Sequence, residues 1–170
     1  MSRSVLQWAT ATVLCLSAAH ASADTATLTI TGRVLPGTCT LAPAPTVMLD
    51  PIKADELVQG DNKLKAGSLD FTGCVGVGKA KLSFAGTAAD GDTERWKNTA
   101  PADAADGVSV ALLAGTTGST YLKNGDSGIE VVVSGATASY PLRAGYYLPA
   151  AASAGAGAVQ AEIVVTADYE

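Results

Sequence analysis

The chain closes on Gly157-Ala-Val-Gln-Ala-Glu-Ile-Val-Val-Thr-Ala-Asp-Tyr-Glu170. Val159, Ala161, Ile163, Val165, Ala167 and Tyr169 share one parity. Gln160, Glu162, Thr166, Asp168 and Glu170 share the other, broken only by Val164. Successive side chains of a strand point to opposite faces, so this period of two predicts a half-buried β-strand. Chain ends ordinarily fray unless something ties them down. An alternating strand here therefore pairs on both sides or awaits a partner.

The opposite end of the chain carries a second patterned stretch. Ala26, Leu28, Ile30 and Val34 alternate with Thr25, Thr27, Thr29, Thr31 and Arg33, and Gly32 takes the remaining apolar-face slot. Its β-branched content suits a strand with one apolar face. Two such strands at opposite termini are what a strand-exchange assembly needs.

Residues 1–23 read as a cleaved signal peptide. Arg3 gives a basic start, Val5 to Ala18 is mostly apolar but too short to span a bilayer, and Ala21-Ser22-Ala23 fits the small-x-small cleavage pattern. Asp24 is the expected mature N-terminus, and an amphipathic helix of the fold is the alternative. Cys15 lies inside this segment, where the bulk of Leu14 argues against lipoprotein cleavage. The remaining length suits one domain, and no other stretch is long and apolar enough for stable membrane insertion. Loss of Arg3 takes the formal net charge from −5 to −6. A mildly acidic chain without a basic cluster argues against nucleic acid and anionic lipid as partners.

Cys39 and Cys74 remain after cleavage. In an exported chain an even pair is most simply a disulfide, with free thiols or a metal pair as alternatives. The only histidine, His20, leaves with the signal. That excludes Ser-His-Asp, Cys-His and histidine-based zinc sites from the mature chain.

Short apolar runs bounded by Gly, Asp or Pro predict an all-β fold. Leu69 and Phe71 alternate with Asp70 and Thr72, Leu82 and Phe84 with Lys81 and Ser83, and Val108, Val110 and Leu112 with Ser109 and Ala111. A short strand is expected at Val47 to Leu49, and a loop with one helical turn over Asp55 to Lys65. Asn124-Gly125 is a hairpin signal because it tolerates positive φ, with a strand from Ile129 to Val133 after it. Pro141 marks the Tyr140–Tyr146 run as an edge or a bulge, since it donates no ladder bond. Ala150 to Ala158 reads as a flexible connection. Six to eight short strands and a disulfide point to a β-sandwich of immunoglobulin-like kind.

These residues resemble the pilin subunits of chaperone–usher fimbriae. Leu28-Thr-Ile-Thr-Gly32-Arg-Val34 followed by Cys39 looks like the pilin donor segment and first cysteine. Leu69-Asp-Phe71-Thr-Gly-Cys74 is similar to the second-cysteine strand, and Lys81-Leu-Ser-Phe84-Ala-Gly86 to the strand after it. Gly157 and Tyr169 match the pilin glycine fourteen residues from the C-terminus and the penultimate tyrosine. Gly73 departs from the family, since many pilins have a polar or acidic residue there, and only Asp24 and Thr25 precede the donor pattern.

The resemblance implies an incomplete sandwich that lacks its last strand and is completed by a donor strand from the neighbouring subunit. It divides the chain into the signal at 1–23, a donor extension at 24–35 and a pilin domain at 36–170. The donor face would be Ala26, Leu28, Ile30, Gly32 and Val34. The acceptor and chaperone-binding strand would be Gly157, Val159, Ala161, Ile163, Val165, Ala167, Tyr169 and Glu170, with the C-terminal carboxylate of Glu170 gripped by basic chaperone residues. The implied partners are neighbouring pilins in a head-to-tail homopolymer, a periplasmic chaperone and an outer-membrane usher. The implied place is a fimbrium on the cell surface, reached through the periplasm, where it supports cell adhesion. No cofactor or metal is expected.

Two rival classes are weighed against this. For an enzyme, only the acidic clusters Asp90-Gly-Asp92-Thr-Glu94 and Asp103 to Asp106 offer carboxylate chemistry or weak calcium binding, and solvated loop acids explain them as well. A secreted carbohydrate-binding or adhesin immunoglobulin-like module would use Trp96, Tyr146 and Tyr147 to stack on sugars. A loop aromatic folded onto the sandwich is the plainer reading of Trp96. A complete, ordinary sandwich would also account for both end strands.

Overall fold

Turn residues cut the described part of the chain into nine strands. The computed structural model describes residues 26–35, 37–44 and 46–170. The expected signal peptide, with Cys15 and His20, lies outside them, as do Asp24 and Thr25. Residues 26–33 belong to one unit and Val34–Glu170 form a second. Residues 26–35 carry no regular strand, and Leu28, Ile30 and Val34 are exposed. An extended segment becomes a strand only when its N–H and C=O groups ladder to another.

The second unit contains β1 (Thr38–Leu41), β2 (Gly60–Val75), β3 (Lys79–Gly86), β4 (Ala88–Ala89), β5 (Asp92–Trp96), β6 (Ser109–Ala114), β7 (Ile129–Val132), β8 (Ala138–Leu148) and β9 (Ile163–Tyr169). A single 3₁₀ turn, Ala54–Glu56, precedes β2. One sheet has six strands in the order β1-β2-β8-β6-β5-β4, and the other has three in the order β7-β3-β9. The pairings between successive neighbours are antiparallel. The core lies between the sheets. Leu69, Phe71, Val110, Leu112, Leu142 and Ala144 come from the larger one, and Ala80, Leu82, Phe84 and Val131 from the smaller.

The disulfide joins Cys39 of β1 to Cys74 of β2. Leu69 and Phe71 face inward on odd positions, yet Cys74 is also buried. The pairing of β1 with β2 slips between Thr38 and Thr40, opposite Gly73, whose φ is +61°. That bulge adds one residue and turns Cys74 back to the core side, and a left-handed backbone of this kind favours glycine. The departure at Gly73 thus has a local cause.

Several expectations change in three dimensions. Residues 60–65 are not a loop but the start of β2, held by the Asn62 side chain, which donates to Val58 O and Gly60 O and accepts from Val58 N–H. Val47 and Leu49 face inward between exposed neighbours but form no strand, because nothing ladders to them. Asn124-Gly125 is a turn, with Asp126 N–H bonded to Lys123 O and Gly125 at φ +90°, but no hairpin follows; β7 pairs with β3 instead. Pro141 sits in β8, a central strand between β2 and β6. Its carbonyl accepts from Gly115 N–H, one residue beyond the end of β6, so its missing N–H faces the point where that partner runs out. In β6, Ser109, Ala111 and Leu113 are buried together with Val110 and Leu112, so both faces are covered. The Ala150–Ala158 stretch is tied down by Gly155 N–H to Asp106 O and Ala158 N–H to Asp103 O.

The disulfide closes a sequence separation of 35 residues. In the chain-entropy model such a loop stabilises a fold by about 4 kcal/mol. Reduction of the native protein, or Cys74→Ala, is expected to lower the melting temperature by more than roughly 10 °C in differential scanning calorimetry. An unchanged melting temperature would remove the staple from the account.

Candidate functional site

β9 is an edge strand. It pairs with β3 from Ala80↔Tyr169 to Gly86↔Ile163 and has no partner on its other side among the described strands. The Glu170 N–H donates to Lys79 O, and Glu170 O accepts from the N–H groups of Gly78 and Lys79. Ladder groups alternate sides residue by residue, so the even positions of β9 bond to β3. The backbone groups of Ile163, Val165, Ala167 and Tyr169 therefore face the open edge. The same alternation continues upstream, where Gln160 O accepts from Thr99 N–H and Ala158 O from Ala105 N–H. Val159 and Ala161 thus also turn their backbone groups outward.

Regular pairing begins at Ile163, although the period of two starts at Val159. β3 ends at Gly86, opposite Ile163, and residues 159–162 have no strand beside them. Their burial nonetheless alternates as in a strand. Gly157 enters this stretch where a Cβ would lie 2.3 Å from Asp103 O and 2.5 Å from Ala105 N. Only glycine lets the two backbones come that close.

Side chains complete the picture. Val159, Ala161, Ile163, Val165, Ala167 and Tyr169 all point toward the core, yet each is only half-buried, and the intervening residues are exposed. Val159, Ala161, Ile163 and Val165 wall one side of an apolar groove of about 750 Å³. Val47, Met48 and Leu49 wall the other side, and Leu69, Phe84, Val110, Leu112 and Leu142 form its floor. Val165 is the last β9 residue lining it. Beyond, Tyr169 packs edge-on against Phe71 with ring centroids 6.4 Å apart. The site is an open sheet edge beside uncovered apolar surface, which offers backbone hydrogen bonds and apolar burial in one place.

Glu170 is the charged end of this strand. Its side chain pairs with Lys81 and, at 3.4 Å, with Lys79 of β3. The Lys81 hydrogen bond holds its carboxyl below the usual carboxylate range. Lys79 is raised in turn, chiefly by Glu130 at 2.9 Å and then by Glu170.

The residues of the rival readings are accounted for elsewhere. Trp96 is fully buried and donates from Nε1 to Leu122 O at 2.8 Å, so it is core rather than a sugar platform. Tyr147 and Tyr121 sandwich the buried Arg95 guanidinium, at 4.0 and 3.3 Å from its carbon to the ring centroids. In sequence Glu94-Arg95-Trp96-Lys97 is simply a charged stretch, and the stack escapes it because both tyrosines come from distant segments. Tyr146 donates to Asp50 O. Asp90 pairs with Lys97 at 2.8 Å, Glu94 lies near Arg95 and Lys123, and Asp92 accepts from the Glu94 N–H. These are surface ion pairs and a local turn. Among the described residues no helix is long and apolar enough to cross a membrane.

Because folding lowers the pKa of Glu170, its ionised form adds stability that is complete above the unfolded value and lost as pH falls through the folded one. Glu170→Gln is therefore expected to lower the urea midpoint slightly near neutral pH, with the difference closing below about pH 4. A gap between the two proteins that persists at acid pH would rule out the ion pairs as its cause.

Solved structures share this fold. The P pilus rod subunit PapA aligns at TM-score 0.63 and 15% identity, over 78% of this chain and 99% of that one. A chain from the structure of a chaperone–usher pilus aligns at TM-score 0.65 and 14% identity, over 90% of this chain and 100% of that one. The Burkholderia pseudomallei antigen and type I fimbria protein aligns at TM-score 0.56 and 22% identity, over 78% and 88%. No curated protein matches the chain by sequence. A family model described as fimbrial protein matches residues 28–170.

Proposed function

Because the chain belongs to the fimbrial protein family, a family of structural rather than catalytic proteins, we propose that it polymerises into a surface pilus by donating one strand and receiving another. The observation that carries the reading is the half-covered apolar row of β9 beside an unpaired edge. In this reading residues 24–35 of one subunit lie along the edge from Val159 to Tyr169 of the next. Strand addition of this kind joins backbone hydrogen bonds for affinity to alternate side-chain pockets for specificity, and donor-strand complementation among pilins is an established instance of the mode.

The chemistry of the two segments is complementary. Ala26, Leu28, Ile30 and Val34 present apolar side chains on one parity, and Gly32 leaves one slot empty. Leu28, Ile30 and Val34 are each worth roughly 1.5–3 kcal/mol on full burial. The donated backbone also satisfies edge groups that otherwise bond only to water. Since each subunit gives one strand and receives one, the contact is head-to-tail and does not close, which builds a filament.

The same edge would need protection before assembly, because an open apolar edge is an aggregation hazard. A periplasmic chaperone that supplies a temporary strand and holds the Glu170 end meets that need, with an outer-membrane usher as the place of exchange. Cleavage of residues 1–23 on export fits this route, as does a role of the finished fimbrium in cell adhesion.

The test is thermal unfolding of a chain starting at residue 36, with and without a peptide of residues 24–35. The peptide is expected to raise the melting temperature by roughly 10 °C at saturation. Ile30→Lys in the peptide or Ile163→Lys in the domain abolishes that rise. A domain already stable and indifferent to the peptide is a self-sufficient module, and strand exchange would have to be abandoned.

A further inference from the structure

The groove edge has two halves with different support. From Ile163 to Tyr169 it is laddered to β3. From Ala158 to Glu162 it runs past the end of β3, where Gly86 meets Glu162 so closely that a Cβ would lie 2.7 Å from its carbonyl oxygen. Yet Val159 and Ala161 line the groove together with Ile163 and Val165.

One side chain stands in for the missing strand. Asn98 Nδ2 donates to Ala158 O at 2.9 Å and to Ala105 O at 3.2 Å. Its Oδ1 accepts from Gln160 N–H at 3.0 Å and from Ala100 N–H at 3.2 Å. An asparagine amide offers two donors and two lone pairs, so every position it has is used. The bonds to Ala158 O and Gln160 N–H are those a neighbouring strand would make, on the side away from the groove. Thr99 N–H adds a third, to Gln160 O at 2.8 Å. Asn98 is itself fixed by the chain around it. Trp96, two residues earlier, is locked in the core, and Lys97 N–H bonds to Thr87 O.

We propose that Asn98 is a positioning residue for donor docking: it holds the 158–162 half of the groove edge extended before any donor arrives. This rests on the donor-strand reading above. Without the tie, the incoming strand would have to order that half of the edge as it binds, and the ordering cost falls on affinity. With the tie, the outward-facing backbone groups of Val159 and Ala161 stand ready at the spacing of a strand.

The experiment uses the full mature chain, its Asn98→Ala and Asn98→Asp variants, and a labelled peptide of residues 24–35 as the probe. Amide hydrogen exchange is followed at Gln160 and Ala100, whose N–H groups bond to Asn98 Oδ1, with Thr166 and Asp168 as references bonded to β3. Asn98→Ala is expected to speed exchange at Gln160 and Ala100, leave the two references unchanged, and weaken peptide binding by roughly ten-fold. Asn98→Asp keeps both acceptor bonds and loses both donor bonds. It should therefore retain protection at Gln160 and recover part of the affinity, and it serves as the test if the alanine variant does not fold. Wild-type affinity in both variants overturns the proposal while leaving strand exchange intact. So does exchange that rises uniformly over the references, which marks Asn98 as an ordinary stabilising residue. If the wild-type chain ignores the peptide, strand exchange itself falls and the docking role of Asn98 with it.

Discussion

The structure turns on an unmade set of backbone hydrogen bonds. A sheet edge exposes N–H and C=O groups that pair with water, with another strand or not at all. In β9 that edge coincides with an apolar row whose burial is incomplete. Either feature alone is tolerable. Together they form the site at which the proposed donor strand would add, because a strand satisfies the backbone and covers the side chains in one step.

The rest of the molecule holds that edge open without letting it collapse. The larger sheet supplies a rigid floor from Leu69, Val110, Leu112 and Leu142. Trp96 anchors β5 in the core, and Asn98 carries that anchor to the backbone at Ala158 and Gln160. The disulfide and the Gly73 bulge fix β1 on β2, while Tyr169 against Phe71 fills the space next to the groove. The Lys79 and Lys81 pairs with Glu170 secure the residue that follows β9. A groove with loose walls would close on itself, since apolar surface gains by any burial.

Much of this was legible in the residues. The alternation from Val159 to Tyr169 and that of Leu69 with Phe71 and Leu82 with Phe84 appear in the structure with the same parity. Local patterns failed where a contact distant in sequence decides the outcome. Pro141 read as an edge marker, but β6 stops where the proline needs it to. Gly60 to Lys65 read as a polar loop, but the Asn62 side chain and pairing with β8 make it strand. Arg95 lies in a charged stretch of sequence, Glu94 to Lys97, but two tyrosines from distant segments close over it.

The sequence by itself determined which residues share a face, because side-chain alternation is a property of the strand alone. It also determined the cysteine pair left after the expected cleavage and the absence of histidine chemistry from residues 24–170. Tertiary structure decided which strand lies at the edge, where regular pairing starts, and that Val159 to Val165 wall an open groove rather than a closed core. Those are questions of who is the neighbour. Alternation says that a strand has an apolar side, but only the assembled sheets say whether that side is covered.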